Sequence, residues 1–242
     1  MSSAVWRALE ARTRARPADP VVTFVSASGE RTELSAKTLA NNAAKAANAL
    51  RDEAMLDPGA RIAMRIPWHW QRSVWALAAW LVDATIVTSG PTHDCDLVLA
   101  GPVEAAALSA GTPGATGPSE IWVVSLHPFG LPNVSVPDGT LDAATIARIQ
   151  PDAFSPDPSA PEAPGLAGEG GGSALLERAA ALGLALSLST GERFLVAGEP
   201  DDPLAAWLLP TLVPLACDTS IVLSPGDADV EAVARQESAR IL

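Results

Sequence analysis

The sequence predicts an α/β fold with mainly parallel sheets and helices on both faces. The first observation behind this prediction is a βαβ unit over residues 61 to 90, the unit from which parallel sheets are built. It combines a strand from Arg61 to Ile66, an amphipathic helix from His69 to Val82 and a second strand from Ile86 to Ser89. The second observation is that strands and helices alternate up to the last residue, as they do in doubly wound sheets.

The chain before this unit predicts a helix, a hairpin and a capped helix. Apolar residues at helical spacing indicate a first helix near Val5. The segment from Val21 to Val25 predicts a strand, and the segment from Arg31 to Leu34 predicts its hairpin partner. Ser35 is predicted to cap a helix from Ala36 to about Glu53, because its hydroxyl can accept from an otherwise unpaired backbone N–H.

The chain after this unit continues to alternate. The predicted elements are a strand at Leu97 to Ala100, a helix at Val103 to Ser109, a strand at Ile121 to Ser125, a helix at Leu141 to Ile149, a helix capped by Ser173, a strand at Arg193 to Val196, a helix at Leu204 to Leu215 interrupted by prolines, a strand at Ser220 to Leu223, a helix at Asp227 to Arg235 and the start of a strand at Ile241. Residues 151 to 172 hold five prolines and five glycines, a composition typical of linkers and exposed loops. This composition divides the chain into a first α/β lobe (residues 1–150), a linker or loop (151–172) and a smaller α/β lobe (173–242).

Composition excludes several classes of function. A net charge of −12 argues against a nucleic-acid surface. Cys95 and Cys217 are isolated, so the sequence carries no disulfide framework. The N-terminus has no apolar signal segment, and the longest nearly apolar run, Pro203 to Cys217, is too short to span a bilayer. We therefore expect a reduced cytoplasmic protein that binds neither nucleic acid nor membrane.

The order of short motifs resembles a known family. A Leu-Ser…Leu-Ala-Asn…Ala-Asn-Ala-Leu-Arg helix (Leu34 to Arg51) precedes Pro-Gly-Ala-Arg-Ile-Ala (Pro58 to Ala63) and the central unit. This order resembles the N-terminal part of the adenylate-forming enzymes, the AMP-binding superfamily of AMP-dependent acyl- and aryl-CoA synthetases. The segments Glu192 to Val196 and Asp218 to Leu223 resemble that family's next structural block. The resemblance implies two βαβ-type lobes, ATP-dependent activation of a carboxylic acid, and ATP or AMP as the cofactor.

One segment departs from the family's pattern. Family members carry a Ser/Thr/Gly-rich loop ending in Lys, whose backbone N–H groups and charge hold the ATP phosphates. The corresponding segment here has no Lys and contains the acidic Glu169. The candidate phosphate-binding residues are Gly168, Gly170, Gly171, Gly172 and Ser173. A flexible linker ending in a helix cap is the favoured interpretation, and a C-terminal domain with its catalytic lysine is missing, so we expect a truncated relative that has lost adenylation.

A ligand crevice is predicted at the carboxyl ends of the strands, where open α/β sheets bind ligands. Trp68, His69 and Trp70 follow the central strand, and Ser125 and His127 lie at the end of a later one. The tryptophans could stack on an aromatic group or adenine, although tryptophans at such positions are more often core residues. Neither a Gly-x-Ser-x-Gly motif nor an acidic partner supports a hydrolase triad at Ser125 and His127.

The segment from Thr92 to Asp96 concentrates metal-ligating side chains, but it predicts no metal site. Consecutive residues do not easily converge on one ion, and no second cluster complements them. A polar loop is the favoured interpretation.

The favoured function is that of a non-catalytic, AMP-binding-enzyme-like pseudoenzyme that binds a small molecule or a protein partner. One alternative is an ATP-dependent acid–CoA ligase with an altered nucleotide loop, completed by another chain. Another is a structural or interaction protein that keeps only the scaffold. The sequence leaves a homo-oligomer open.

Overall fold

The computed structural model describes residues 3–110, 120–157 and 165–242. The helices are α1 (Ala4–Ala15), α2 (Ala36–Asn48, continued by a π-helical turn over Ala49–Glu53), α3 (Trp70–Leu81), α4 (Pro102–Ser109), α5 (Ala143–Arg148), α6 (Gly172–Ala185), α7 (Ala205–Leu208), α8 (Val213–Ala216) and α9 (Val230–Glu237). The strands are β1 (Pro20–Val25), β2 (Arg31–Ser35), β3 (Arg61–Arg65), β4 (Thr85–Val87), β5 (Leu97–Ala100), β6 (Ile121–Val123), β7 (Leu141–Asp142), β8 (Arg193–Ala197), β9 (Ser220–Ser224) and β10 (Arg240–Ile241). The α/β class with mainly parallel sheets is confirmed.

The first sheet joins strands from both ends of the chain, in the order β10-β8-β9-β1-β2. All its pairs are parallel except the predicted hairpin of β1 and β2. Val22 of β1 pairs with Ile221 of β9, so a strand from the first lobe completes the sheet of the second. The sheets therefore do not follow the division at residues 151–172, and that domain division stays a prediction.

The second sheet is parallel throughout its described pairs, in the order β4-β3-β5-β6-β7. Leu166 forms a parallel bridge with Ile86, so the segment predicted to be a linker extends this sheet beside β4. Leu166 and Phe154 are both buried. Phe154 and Leu166 thus anchor the segment to the core, while most of the described residues from 151 to 157 are exposed.

Helix α3 lies at the centre of the molecule. It contacts α1 and α2, β1 of the first sheet and β4 of the second. Every residue from Trp70 to Leu81 is buried, so the prediction of an amphipathic helix is wrong. The polar residues of its first turn are covered by other elements instead of by water. Arg72, for example, donates to both carboxylate oxygens of Glu199, at 2.6 and 3.0 Å.

The predicted N-caps and first residues of the helices agree with the structure in some cases and differ in others. Ser35 caps α2 by accepting from the backbone N–H of Thr38 at 3.2 Å, as predicted. Ser173 does not cap α6, because the helix already begins at Gly172 and Gly171 occupies the cap position. The segment predicted as a helix from Leu141 starts as the short strand β7 and becomes helical only at Ala143. No described helix is both long enough and apolar enough to cross a membrane.

Candidate functional site

The second sheet has a topological switch point between β3 and β5. The chain leaves β3 toward β4 on one side and returns to β5 on the other. Arg65 at the end of β3 pairs with Ala100 at the end of β5, so their carboxyl ends are level. Open α/β sheets bind ligands in the crevice outside such a point. A cavity of about 430 Å³ opens there, here named the switch-point crevice and lined by Arg65, Ile66, Pro67, Gly101, Val103, Glu104 and Leu126.

Arg65 provides the positive charge of this crevice. Its guanidinium donates to the carbonyl oxygens of Val87 at 2.7 Å, Gly90 at 2.9 Å and Met64 at 3.3 Å. It forms no ion pair with any residue that the structure describes. A guanidinium has five N–H donors, so donors and an uncompensated charge remain for a ligand. Sequence reasoning missed Arg65, although its position at the end of a predicted strand was a usable signal.

The Trp68 side chain packs between the two sheets. Its indole N–H donates to the carbonyl of Val196 in β8 at 3.4 Å. The guanidinium of Arg72 lies 5.6 Å from the centre of the Trp68 ring and 4.8 Å from that of Trp207. Trp68 thus belongs to a cation–π cluster that joins the sheets.

His69 is a buried helix cap. Its Nδ1 accepts from the backbone N–H of Gln71 at 3.2 Å, and its ring centre lies 4.4 Å from that of Phe24. Its Nε2 is buried and has no hydrogen-bond partner among the residues that the structure describes. Burial lowers the pKa of His69 from 6.5 to about 4, and the backbone of Leu126 offsets part of that effect. The imidazole is therefore neutral at pH 7.

Trp70 and Ser125 line a second cavity of about 190 Å³ between α2, α3 and α5. The Ser125 hydroxyl donates to the carbonyl of Leu131 at 2.5 Å and accepts from the backbone N–H of His127 at 3.2 Å. His127 is exposed, and its Nδ1 accepts from the backbone of Phe129 at 3.1 Å. Ser125 and His127 therefore form no nucleophile–base pair.

The glycine segment forms a turn tied to β4. The carbonyl of Gly165 accepts from the backbone N–H of Ile86 at 3.1 Å and from the indole of Trp80 at 2.7 Å. The acidic side chain of Glu169 pairs with Arg178 of α6. None of the residues from Gly168 to Ser173 lines either of the two cavities. The structure thus separates the predicted phosphate-binding residues from Trp70 and Ser125.

The described residues contain no cluster of metal ligands. His93 and Asp94 lie 3.4 Å apart, but no group of three or more His, Cys, Asp or Glu side chains could hold an ion within residues 3–110, 120–157 and 165–242. The segment from Thr92 to Asp96 keeps its interpretation as a polar loop.

Comparisons with solved structures identify the fold. An acetoacetyl-CoA synthetase from Streptomyces lividans has a TM-score of 0.72 at 20% identity, over 98% of this chain and 41% of that one. A Brucella canis acyl-CoA synthetase has a TM-score of 0.68 at 15% identity, over 92% and 44% of the two chains. A Mycobacterium tuberculosis fatty acyl CoA synthetase has a TM-score of 0.71 at 15% identity, over 97% and 48%. The chain has the fold of acyl-CoA synthetases. The resemblance drawn from the sequence is thereby confirmed for the fold, over less than half the length of these enzymes.

Sequence comparison gives a narrower result. No protein-family model matches the chain. A curated "TIGR03089 family protein" from Mycobacterium tuberculosis (strain ATCC 25618 / H37Rv) is 37% identical over 150 residues, which cover 62% of this chain. The match spans 61% of that relative's length. The name of this relative states no activity, so a proposal about activity or ligand has to rest on the geometry of the site.

Proposed function

We propose that this chain is a non-catalytic protein with the acyl-CoA synthetase fold and that it binds a small molecule in the switch-point crevice. The observation that carries this proposal is the coincidence of the crevice with the point where the strand order reverses, between β3 and β5. Ligand sites are usually concave and apolar with a few convergent polar groups. Pro67, Val103 and Leu126 supply the apolar wall, and Arg65 supplies the charge.

The walls define the chemistry of the ligand. An apolar body would cover Pro67 and Leu126, while an anionic group would reach the remaining donors of Arg65. Glu104 lies on the same rim and would repel a highly charged anion. A monoanionic molecule with an apolar part fits better than a polyphosphate.

The glycine segment supports a loss of adenylation. A phosphate loop needs free backbone N–H groups and a positive charge. Here Glu169 contributes a negative charge, although Arg178 pairs with it, and the turn is fastened to Ile86 and Trp80. An acid–CoA ligase completed by another chain is the second candidate, and it is favoured by the structural similarity to acyl-CoA synthetases.

A thermal-shift screen with ATP/Mg²⁺, AMP, CoA and a panel of acyl and aryl acids tests the proposal. A ligand specific for the folded state stabilises it by about 2.7 kcal/mol at a hundred times its dissociation constant. Val103 is 86% exposed in the first turn of α4, so Val103→Asp should leave the fold intact while placing a carboxylate beside the apolar wall. Val134→Asp, at a fully exposed position outside the crevice, is the matched control.

We expect an apolar monoacid to stabilise the wild type and Val134→Asp but not Val103→Asp. Equal stabilisation of both variants by the acid would indicate that it binds outside the switch-point crevice. A parallel assay for pyrophosphate release with ATP and each acid should show none. Release above the background rate would contradict the non-catalytic assignment and favour the ligase.

A further inference from the structure

The cavity between α2, α3 and α5, here named the three-helix cavity, is a second site of different chemistry. Its walls come from the two helices α2 and α3, from the loop after β6 and from α5, which is about a hundred residues beyond α2 in the chain. Gly130 closes it with a left-handed backbone (φ +64°). A Cβ at Gly130 would lie 3.0 Å from the Trp70 ring and 3.2 Å from the Gln71 amide nitrogen, so a side chain at this position would be crowded against α3.

The charges that line this cavity are all positive. Lys45 of α2 and Arg148 of α5 contribute side chains, and no Asp or Glu lies among the described lining residues. Neither cation forms a hydrogen bond or an ion pair with any residue that the structure describes. Within a chain of net charge −12, two uncompensated cations in one cavity favour an anion.

Gln71 provides a neutral donor beside the two cations. The residue is only 7% exposed and lines the cavity, and its side-chain amide has no hydrogen bond within the described part of the chain. The amide atoms are not themselves fully buried, so they remain accessible. An acceptor atom of a ligand inside the cavity would accept from the amide N–H₂.

The remaining walls combine apolar side chains with the polar Asn42 and Ser125. Trp70, Val74, Trp75 and Phe129 line the cavity, and its volume is about 190 Å³. An apolar cavity of about 150 Å³ holds a benzene ring. We propose that the three-helix cavity binds a one-ring aromatic carboxylate, with the ring against the tryptophans and the carboxylate facing Lys45 and Arg148. This site is separate from the switch-point crevice and does not depend on its ligand.

Isothermal titration calorimetry of the full chain with benzoate tests the proposal, with benzamide as the uncharged probe of the same shape. We expect benzoate to bind in the millimolar range or more tightly and benzamide to bind at least about tenfold more weakly, because a charge-assisted hydrogen bond is lost. Lys45→Gln and Arg148→Gln should each weaken benzoate about tenfold. Raising the salt concentration should weaken benzoate and leave benzamide unchanged.

The chain offers matched controls for both substitutions. Lys37 is the other lysine of α2 and is exposed outside the three-helix cavity, so Lys37→Gln should leave benzoate binding unchanged. Arg235, like Arg148, lies in the last turn of its helix without a described ion pair, and Arg235→Gln serves as its control. Circular dichroism confirms that each variant is folded.

Four outcomes would overturn the proposal. Three of them are no binding of benzoate by the folded wild type, equal affinity for benzamide, and an equal loss of affinity in Lys37→Gln and Lys45→Gln. The fourth is that inorganic phosphate competes with benzoate at an affinity equal to that of benzoate, because the aromatic ring would then contribute nothing to the affinity. Val103→Asp should leave benzoate binding intact, so failure in the switch-point crevice and failure in the three-helix cavity are distinguishable.

Discussion

Acidification should destabilise this protein through a single buried histidine. His69 is 4% exposed and caps α3 as a neutral imidazole, with Nδ1 accepting from Gln71 and the ring against Phe24. Burial lowers its pKa to about 4, against 6.5 for the unperturbed side chain. Between these two values the unfolded chain binds a proton that the folded chain does not, so the free energy of unfolding falls as the pH falls.

The size of the effect follows from the two pKa values. The contribution of His69 is fully present above pH 6.5 and is lost progressively down to the folded pKa of about 4. Between pH 7.5 and pH 5.0, this linkage removes about 2 kcal/mol from the free energy of unfolding. That is a large part of the stability of an ordinary domain.

Urea denaturation of the wild type and His69→Asn at the two pH values measures this contribution. Asn is a good helix cap and does not titrate. The stability lost by replacing the imidazole ring is therefore the same at both pH values and cancels when the change in unfolding free energy with pH is compared between the two proteins. The wild type should lose about 2 kcal/mol more than His69→Asn on acidification. His127→Asn, at an exposed histidine, should behave like the wild type. Equal losses in the wild type and His69→Asn would refute the reasoning.

Two further predictions concern stability. Burial opposes ionisation of Glu237, but hydrogen bonds from Arg31 at 2.7 Å and Arg193 at 2.5 Å outweigh it and hold its pKa below the usual range. Its stabilisation is therefore present above about pH 4.5, the usual pKa of a Glu side chain, and is lost as the pH falls through the lower pKa of the folded state. Glu237→Gln should reduce the free energy of unfolding by about 3 kcal/mol at pH 7 and weaken that acid dependence, as urea titrations at several pH values would show. A Cβ at Gly183 in α6 would lie 2.3 Å from the Cys217 Sγ. Gly183→Ala should thus destabilise the wild type by about 1 kcal/mol. In a Cys217→Ala background the clash is removed, so the higher helix propensity of Ala should make the same substitution stabilising. A double-mutant cycle in which the effect of Gly183→Ala does not change sign would contradict the contact.

The sequence predicted the elements whose signals are local. The strand–helix–strand unit around α3 was found because two hydrophobic runs and the helical segment between them follow one another within 30 residues. The burial of its polar first turn was not predicted, because the partner of Arg72 is Glu199, 127 residues away. Polar side chains such as Gln71 and Arg72 indicate a solvated face unless a distant segment covers them, and hydrophobic periodicity does not report such a segment.

The candidate sites show the same limit more strongly. Trp70 and Ser125 were selected for their positions at strand ends, and they do line one cavity. Lys45 and Arg148 were missed, because each is an ordinary basic residue of a surface helix until the fold brings α2 and α5 together. Only the packing of α2 against α5 brings these two separate charges to one cavity.

The scaffold and a phosphate loop make different demands on the sequence, as the glycine segment illustrates. The scaffold depends on a core shared by many buried side chains around α3, so no single position decides whether it forms. A phosphate loop depends on a few free N–H groups and one charge, and here the carbonyl of Gly165 bonds Ile86 and Trp80 while Glu169 pairs with Arg178. Moving this segment around a polyphosphate would break those contacts, whereas the switch-point crevice uses none of them. Binding in the switch-point crevice, as proposed above, would therefore not require a phosphate loop.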